Sequence, residues 1–297
     1  MTALDALLSP RAIAIVGASP DAGKIRGRIP AAILSGGYSG PIYPVNPAHT
    51  EIQGLRAYAS IAAIAQPVDL ALIAIPAERV AAALEECADA GIKGAVIFSS
   101  GFAESGHAAA QLQAQIGEIA AARGIAVCGP NTAGFLNTGI NLNASFSVGT
   151  KLDNTPRAGA ESQRRVAIVS QSGGLGFAIY NRGNRRGIAF SHVVGTGNES
   201  HLGVLDFTDH LLDKEEVGAL VLLIEQLRGA KGFLDIAEKA AALGKPLIVV
   251  KFGRSEAARR GVLSHTGSLT GGAHAYDAVF HHAGVICADD QDELLDI

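Results

Sequence analysis

"DLALIAIPAERVAAALEECADAGIKGAVIFSSG", residues 69 to 101, holds the reading of the fold. Two continuous apolar runs, 69–76 and 94–101, bracket an Ala-rich stretch in which Val80, Ala83, Leu84 and Cys87 fall on one helical face. Pro76 stands at the entry to that stretch and Gly91 at its exit, where a helix starts and stops. An unbroken apolar strand is one buried on both faces, so the unit reads as strand, crossover helix and parallel strand. Working outwards, strands of the same kind are expected at 12–17, 41–46 and 124–131. The pattern stops over "SFSVGTKLDNTPRAGAESQRR", 145–165, which lacks a hydrophobic period, is rich in turn formers and charge, and reads as a linker. A second series follows at 165–174, 188–197, 218–226, 245–253 and 283–289. The expectation is an α/β chain of two doubly wound sheets, with domains over 1–144 and 166–297.

Composition removes several classes of function. The 297 residues carry a formal net charge of −4 with Lys and Arg scattered, which is not the footprint of a nucleic-acid surface. Three cysteines, Cys87, Cys128 and Cys287, are too few and too far apart for a disulfide framework or a zinc site, and suit a reducing, cytoplasmic setting. No apolar run approaches the roughly 20 residues that cross a bilayer. The opening "MTALDALLSPR" lacks the basic start and apolar core of a signal peptide. His281 and His282 have no partner at metal-ligand spacing, so no metal site is expected.

In doubly wound sheets ligands gather beyond the carboxyl ends of the strands. "AIVGASPDAGKIRG" supplies a glycine turn after the first strand, with Lys24 and Arg26 near a helix start, an arrangement that suits a phosphate. Walker spacing is absent, Gly17 and Gly23 do not make G-x-G-x-x-G, and the second strand ends in Val45, Asn46 and Pro47 with no acidic residue for a ribose. NAD is therefore disfavoured.

The second half poses a different question at "GVLSHTGSLTGG", 261–272, where His265 stands among small and hydroxyl-bearing residues. A neutral imidazole can act as a nucleophile and carry a phosphoryl group from one place to another. A phosphohistidine needs backbone N–H groups for the phosphate and a carboxylate for the second ring nitrogen. "SQSGGLG", 170–176, offers the amides of Ser172, Gly173 and Gly174 at a helix N-terminus, and Glu225 closes the apolar run "ALVLLIEQ".

The series GAS (17–19), YPVNP (43–47), DLALIAIPA (69–77), SSGFAESG (99–106) and GPNTAGFLN (129–137) resembles the CoA-binding domain of the NDP-forming acyl-CoA synthetases, the succinyl-CoA synthetase superfamily. "SQSGGLG", "GTGNES", "LIEQL", "KPLIVVKFGRSEAARR" and "SHTGSLTGG" resemble that superfamily's second domain, in the same order. The resemblance implies a Rossmann-like CoA-binding domain followed by a flavodoxin-like domain of the succinyl-CoA synthetase type. It implies CoA phosphates near Gly17, Ala18 and Ser19, with Asn46 and Pro47 on the next turn; Lys24, placed to suit a phosphate, is counted with the CoA-binding residues. Adenine would lie against Ile75 and Pro76, and pantetheine along Ser99, Ser100 and Gly101, with Asn131 a further CoA-binding residue. His265 matches the phosphohistidine and Glu225 its supporting carboxylate.

The implied reaction is acid + CoA + NTP giving acyl-CoA + NDP + phosphate, through an acyl phosphate and phospho-His265. Its Mg-NTP/NDP site belongs to an ATP-grasp domain, on a β-type partner subunit or on further C-terminal domains. The other implied partners are a small carboxylic acid or its acyl-CoA, within an oligomer that engages neither nucleic acid nor membrane. A non-catalytic CoA or acyl-CoA sensor is the alternative, and it would bind CoA without phosphorylating His265. Four positions depart from the family pattern: Thr132, Gln226, Val262 and Leu263.

Overall fold

Ile13–Val16, the first strand β1, is buried at all four positions. Ala14 and Val16 face a cluster containing Val80, Leu84, Cys87, Ile116 and Ala120, while Ile13 and Ile15 are equally buried on the other face. A strand covered on both sides has no solvated face to mark with polar residues, hence the continuous apolar runs. The computed structural model describes residues 1–147, 149–152, 164–227, 229–253 and 273–297. They divide into two compact units, Met1–Leu152 with Gly197–Leu202, and Asp153–Thr196 with Gly203–Ile297. The linker expected over 145–165 includes residues 148 and 153–163, which lie outside the described ones.

In the first unit α1 (Ala3–Leu8) precedes β1, and α2 (Ile25–Gly36) leads to β2 (Ile42–Val45). A short antiparallel pair, β3 (Glu51–Ile52) and β4 (Leu55–Arg56), turns at Gln53 and Gly54. Then come β5 (Leu70–Ile73), α3 (Val80–Asp89), β6 (Gly94–Ile97), α4 (His107–Arg123) and β7 (Ala126–Cys128). The parallel order is β2-β1-β5-β6-β7, with β1 in register against both β2 and β5. The direction of winding therefore reverses at β1. An antiparallel pair, β8 (Gly134–Asn137) and β9 (Leu142–Ser145), follows.

Pro30 inside α2 has no N–H to offer the Arg26 carbonyl, one turn earlier. The N–H of Ser19 takes that carbonyl instead, at 3.2 Å. A break in the helix ladder thereby ties the glycine turn after β1 to the helix that follows it.

The second unit contains β10 (Arg165–Ser170), α5 (Gly173–Arg185), β11 (Phe190–Gly195), α6 (Val204–Leu212) and β12 (Val217–Ile224). It continues with α7 (Ala230–Ala242), β13 (Leu247–Lys251), α8 (Ala273–Ala283), β14 (Ile286–Cys287) and α9 (Gln291–Asp296). Its strands run parallel in the order β14-β13-β12-β10-β11, so the reversal falls at β10. Arg182 and Arg186 of α5 pair with Asp292 and Asp296 of α9.

Cys87 and Cys128 are buried, and burial pushes each thiol up to about 12, so neither is a nucleophile near neutrality. Among the described residues no group of His, Cys, Asp and Glu could hold a metal ion, and no helix is long and apolar enough to cross a membrane.

Candidate functional site

Three turns meet where the first sheet reverses. Gly17 follows β1, Asn46 and Pro47 follow β2, and Ile75 and Pro76 follow β5; together they line a cleft of about 360 Å³. Gly17 has φ +86°, and a Cβ there would stand 2.6 Å from both the Ala74 carbonyl oxygen and Ile75 Cγ2. The position requires glycine for conformation and for space. Its N–H donates to the Val45 carbonyl at 2.9 Å, which fixes the first turn against the second. Asn46 extends that link, donating from Nδ2 to the Ala18 carbonyl (2.8 Å) and accepting the Ala48 N–H at Oδ1 (3.0 Å). Its side-chain amide thus holds the two turns together.

Ala18, Ser19 and Lys24 are not among the lining residues. Ala18 is fully buried, the Ser19 hydroxyl accepts the Asp21 N–H, and Lys24 lies 3.5 Å from the Asp21 carboxylate. The cations that do line the cleft are Arg26 and Arg79, beside the carboxylates of Glu78 and Glu86. No ion pair or side-chain hydrogen bond among the described residues engages either guanidinium. Arg26 was visible in the sequence as the second member of a basic pair. Arg79 was not, because its only signal is its place three residues beyond a strand-end proline.

Ser99, Ser100, Gly101 and Asn131 form a second group at the ends of β6 and β7. Ser99 donates its hydroxyl to the Ile75 carbonyl, and its own carbonyl accepts the Asn131 N–H at 2.9 Å. Ser100 is exposed. Glu104, absent from the sequence-based set, organises this loop by accepting the N–H groups of Gly101 (2.7 Å) and Phe102 (3.1 Å). Burial pushes its carboxyl up, but the Asn198 amide and these backbone donors outweigh burial and hold it below the ordinary carboxylate range. Asn198 also donates to Gln113 Oε1 at 2.9 Å and accepts from Asn131 Nδ2 at 3.2 Å. Glu104, Asn131 and Asn198 each fall in a motif the sequence displays, but they lie far apart in the chain and nothing local says that they meet.

In the second unit Ser172 precedes α5, and no side chain caps that helix. The first-turn N–H groups at Gly173 and Gly174 present the positive end of the helix dipole, which favours an anion. Glu225 follows β12, the strand in register beside β10. Gln171 joins the two ends: its Oε1 accepts the N–H groups of Glu225 (2.7 Å) and Gln226 (2.8 Å). The turn at Ser172 and the backbone at Glu225 are thus joined through one side chain. His265 lies outside the described residues.

Residues 11–138 match the CoA binding domain family and residues 163–297 the succinyl-CoA ligase like flavodoxin domain family. The chain is 38% identical to the alpha subunit of acetate–CoA ligase (ADP-forming) II of Pyrococcus furiosus, over 98% of this chain and 61% of that one. It is 36% identical to acetate–CoA ligase (ADP-forming) I of Archaeoglobus fulgidus, over 99% of this chain and 41% of that one. A solved acetyl-coenzyme A synthetase 1 of Ca. Korarchaeum cryptofilum, described as dinucleotide forming and in complex with phosphate and ADP, superposes with a TM-score of 0.89 at 34% identity. That likeness covers 99% of this chain and 61% of the other. The chain therefore spans between 41% and 61% of the length of these three proteins.

Proposed function

Because the chain belongs to the family that joins a CoA binding domain to a succinyl-CoA ligase like flavodoxin domain, we propose that it is the CoA-binding, phosphohistidine-bearing part of an NDP-forming acyl-CoA synthetase. The observation that carries the proposal is the Gln171 link between the turn at Ser172 and the strand end at Glu225. A binding module needs a cleft for CoA. It does not need a helix N-terminus suited to an anion tied, through Gln171, to the backbone of an acidic residue at the end of the neighbouring strand.

In the synthetic direction the γ-phosphoryl of NTP passes to a ring nitrogen of His265 and NDP leaves. The amides at Ser172, Gly173 and Gly174 receive the phosphoryl group, while the Glu225 carboxylate accepts a hydrogen bond from the other ring N–H and stabilises the charged imidazole. A carboxylate oxygen of the acid then attacks phosphorus, giving an acyl phosphate and restoring the neutral imidazole. The CoA thiolate attacks the acyl carbon and phosphate departs with the bonding pair. CoA lies in the cleft at the reversal of the first sheet, where Gly17 permits close approach and Arg26 and Arg79 supply positive charge for its phosphates. Mg-NTP is held by an ATP-grasp β-type subunit or by further domains of a longer chain, in a cytoplasmic oligomer.

The test is transfer of label from γ-labelled ATP to the chain in the presence of an ATP-grasp partner. Acid-labile, base-stable label is expected on the wild type and absent from His265→Ala. An unlabelled wild type that still binds CoA, beside an α subunit labelled by the same partner in the same tube, would transfer the proposal to the sensor reading.

A further inference from the structure

Beyond its end, β12 would be expected to fray, yet the backbone at Glu225, Gln226 and Leu227 is held by side chains from three other elements. Gln171, between β10 and α5, accepts the N–H groups of Glu225 and Gln226 and donates Nε2 to the Gln226 carbonyl at 2.7 Å. Lys251, the last residue of β13, is only 8% exposed and donates its ammonium to the Glu225 carbonyl at 2.8 Å and to the Phe252 carbonyl. The same ammonium stands 4.5 Å from the centroid of the Tyr276 ring, on α8, whose hydroxyl accepts the Leu227 N–H at 3.1 Å.

Both backbone polar groups of Glu225 therefore end on buried or half-buried side chains. Ordinary strand termination asks for none of this. Water or a turn would satisfy the same groups, whereas burying a lysine ammonium carries a desolvation cost that a solvated loop avoids. One of the three anchors is also the residue immediately before Ser172, so a shift of Glu225 would pull on the phosphate turn.

We infer that Gln171, Lys251 and Tyr276 are positioning residues that hold Glu225 in register with the turn at Ser172, fixing where its carboxylate can meet the phosphate-accepting imidazole. The inference rests on the proposed phosphohistidine reading and adds the device that aligns it. Alignment of this kind acts on the rate of transfer and leaves CoA affinity untouched, because CoA belongs to the other unit.

A double-variant cycle separates positioning from general support of the fold. In the complex of chain and ATP-grasp partner, Gln171→Leu is expected to slow labelling of His265 at least about 20-fold, with the Kd for CoA within about twofold of wild type. Glu225→Gln is expected to slow it as much or more, and the combined variant should be no slower than Glu225→Gln alone. Tyr276→Phe deletes one hydroxyl, keeps the ring beneath Lys251, and should lose about threefold, again with no further loss in the Glu225→Gln background. Multiplying losses, wild-type rates in both Gln171→Leu and Tyr276→Phe, or a wild-type rate in Glu225→Gln would each overturn the inference.

Amide exchange gives a readout that survives failure of the enzymatic reading. The N–H groups of Glu225 and Gln226 are expected to exchange faster in Gln171→Leu than in wild type; unchanged protection overturns the clamp whether or not His265 is labelled.

Discussion

Gly17→Val is expected to weaken CoA binding at least about 100-fold, a loss of roughly 2.7 kcal/mol. Two effects act at this position. A β-branched residue at φ +86° is strained by about 1–3 kcal/mol, and its Cβ would approach the Ala74 oxygen and Ile75 Cγ2 to 2.6 Å. The backbone has to move away, which stretches the 2.9 Å bond from the Gly17 N–H to the Val45 carbonyl and changes the floor of the cleft. Gly37→Ala is the matched control: its φ is +83°, but a Cβ there meets nothing within 4 Å. It should lose about 1 kcal/mol of stability and keep wild-type affinity. Titration calorimetry on the three proteins, with circular dichroism to verify folding, decides the matter; wild-type affinity in a folded Gly17→Val would remove CoA from this cleft.

Acidification from pH 7 to pH 5 is expected to cost about 2 kcal/mol of stability through His192 alone. This imidazole lies on β11, 2% exposed, and its Nδ1 has no hydrogen-bond partner. Burial pushes it down to about 3, helped by the positive charge of Lys214 and Arg165 and by His210. Above about pH 6.5 the ring is neutral in folded and unfolded chains alike and contributes no slope. Between there and about 3 only the unfolded chain binds the proton, so stability falls by about 1.4 kcal/mol for each pH unit. Below that range both states are protonated and the fall levels off. Urea unfolding at pH 7 and pH 5 should show His192→Leu, which removes both the titrating ring and the orphaned nitrogen, losing about 2 kcal/mol less than wild type. Equal losses in the two proteins would rule His192 out as the source.

The parallel strands could be read from the sequence because a strand covered by helices on both faces must be apolar without interruption. "LALI" at 70–73 and "LIVVK" at 247–251 leave little else to be. The antiparallel pairs were harder to see. β8 and β9 carry Asn137 and Asn143 as buried polar residues, satisfied through the Leu8 carbonyl and the Thr150 carbonyl, so their patterns resemble loop. At "EIQGLR" Gln53 and Gly54 both take positive φ between two short extended pairs, and only the glycine is a residue type that marks such a turn in sequence.

At the candidate site, the glycine and proline turns were legible because conformation alone demands those residues beside a strand end. Four charged and amide residues were not. Arg79, Glu104, Gln171 and Lys251 depend on which strands become neighbours, and no window of local sequence carries strand order. Ala18 and Ser19 show the converse: a motif can be recognised while only its first residue lines the cleft.

Gly197–Leu202 packs with the first unit although it follows β11 in the chain. Its N–H groups at Asn198, Ser200 and Leu202 donate to the carbonyls of Pro130, Gly129 and Val127. During synthesis the edge of β7 must therefore wait, without these donors, for about 72 further residues, from Pro130 to Leu202, to be added. At ordinary elongation rates that interval is roughly 4 to 14 s. A half-built edge strand on the ribosome is a template for pairing with other nascent chains. Slower translation over 153–202 should lengthen the window in which the growing polypeptide depends on chaperones, a cost that the finished protein never displays.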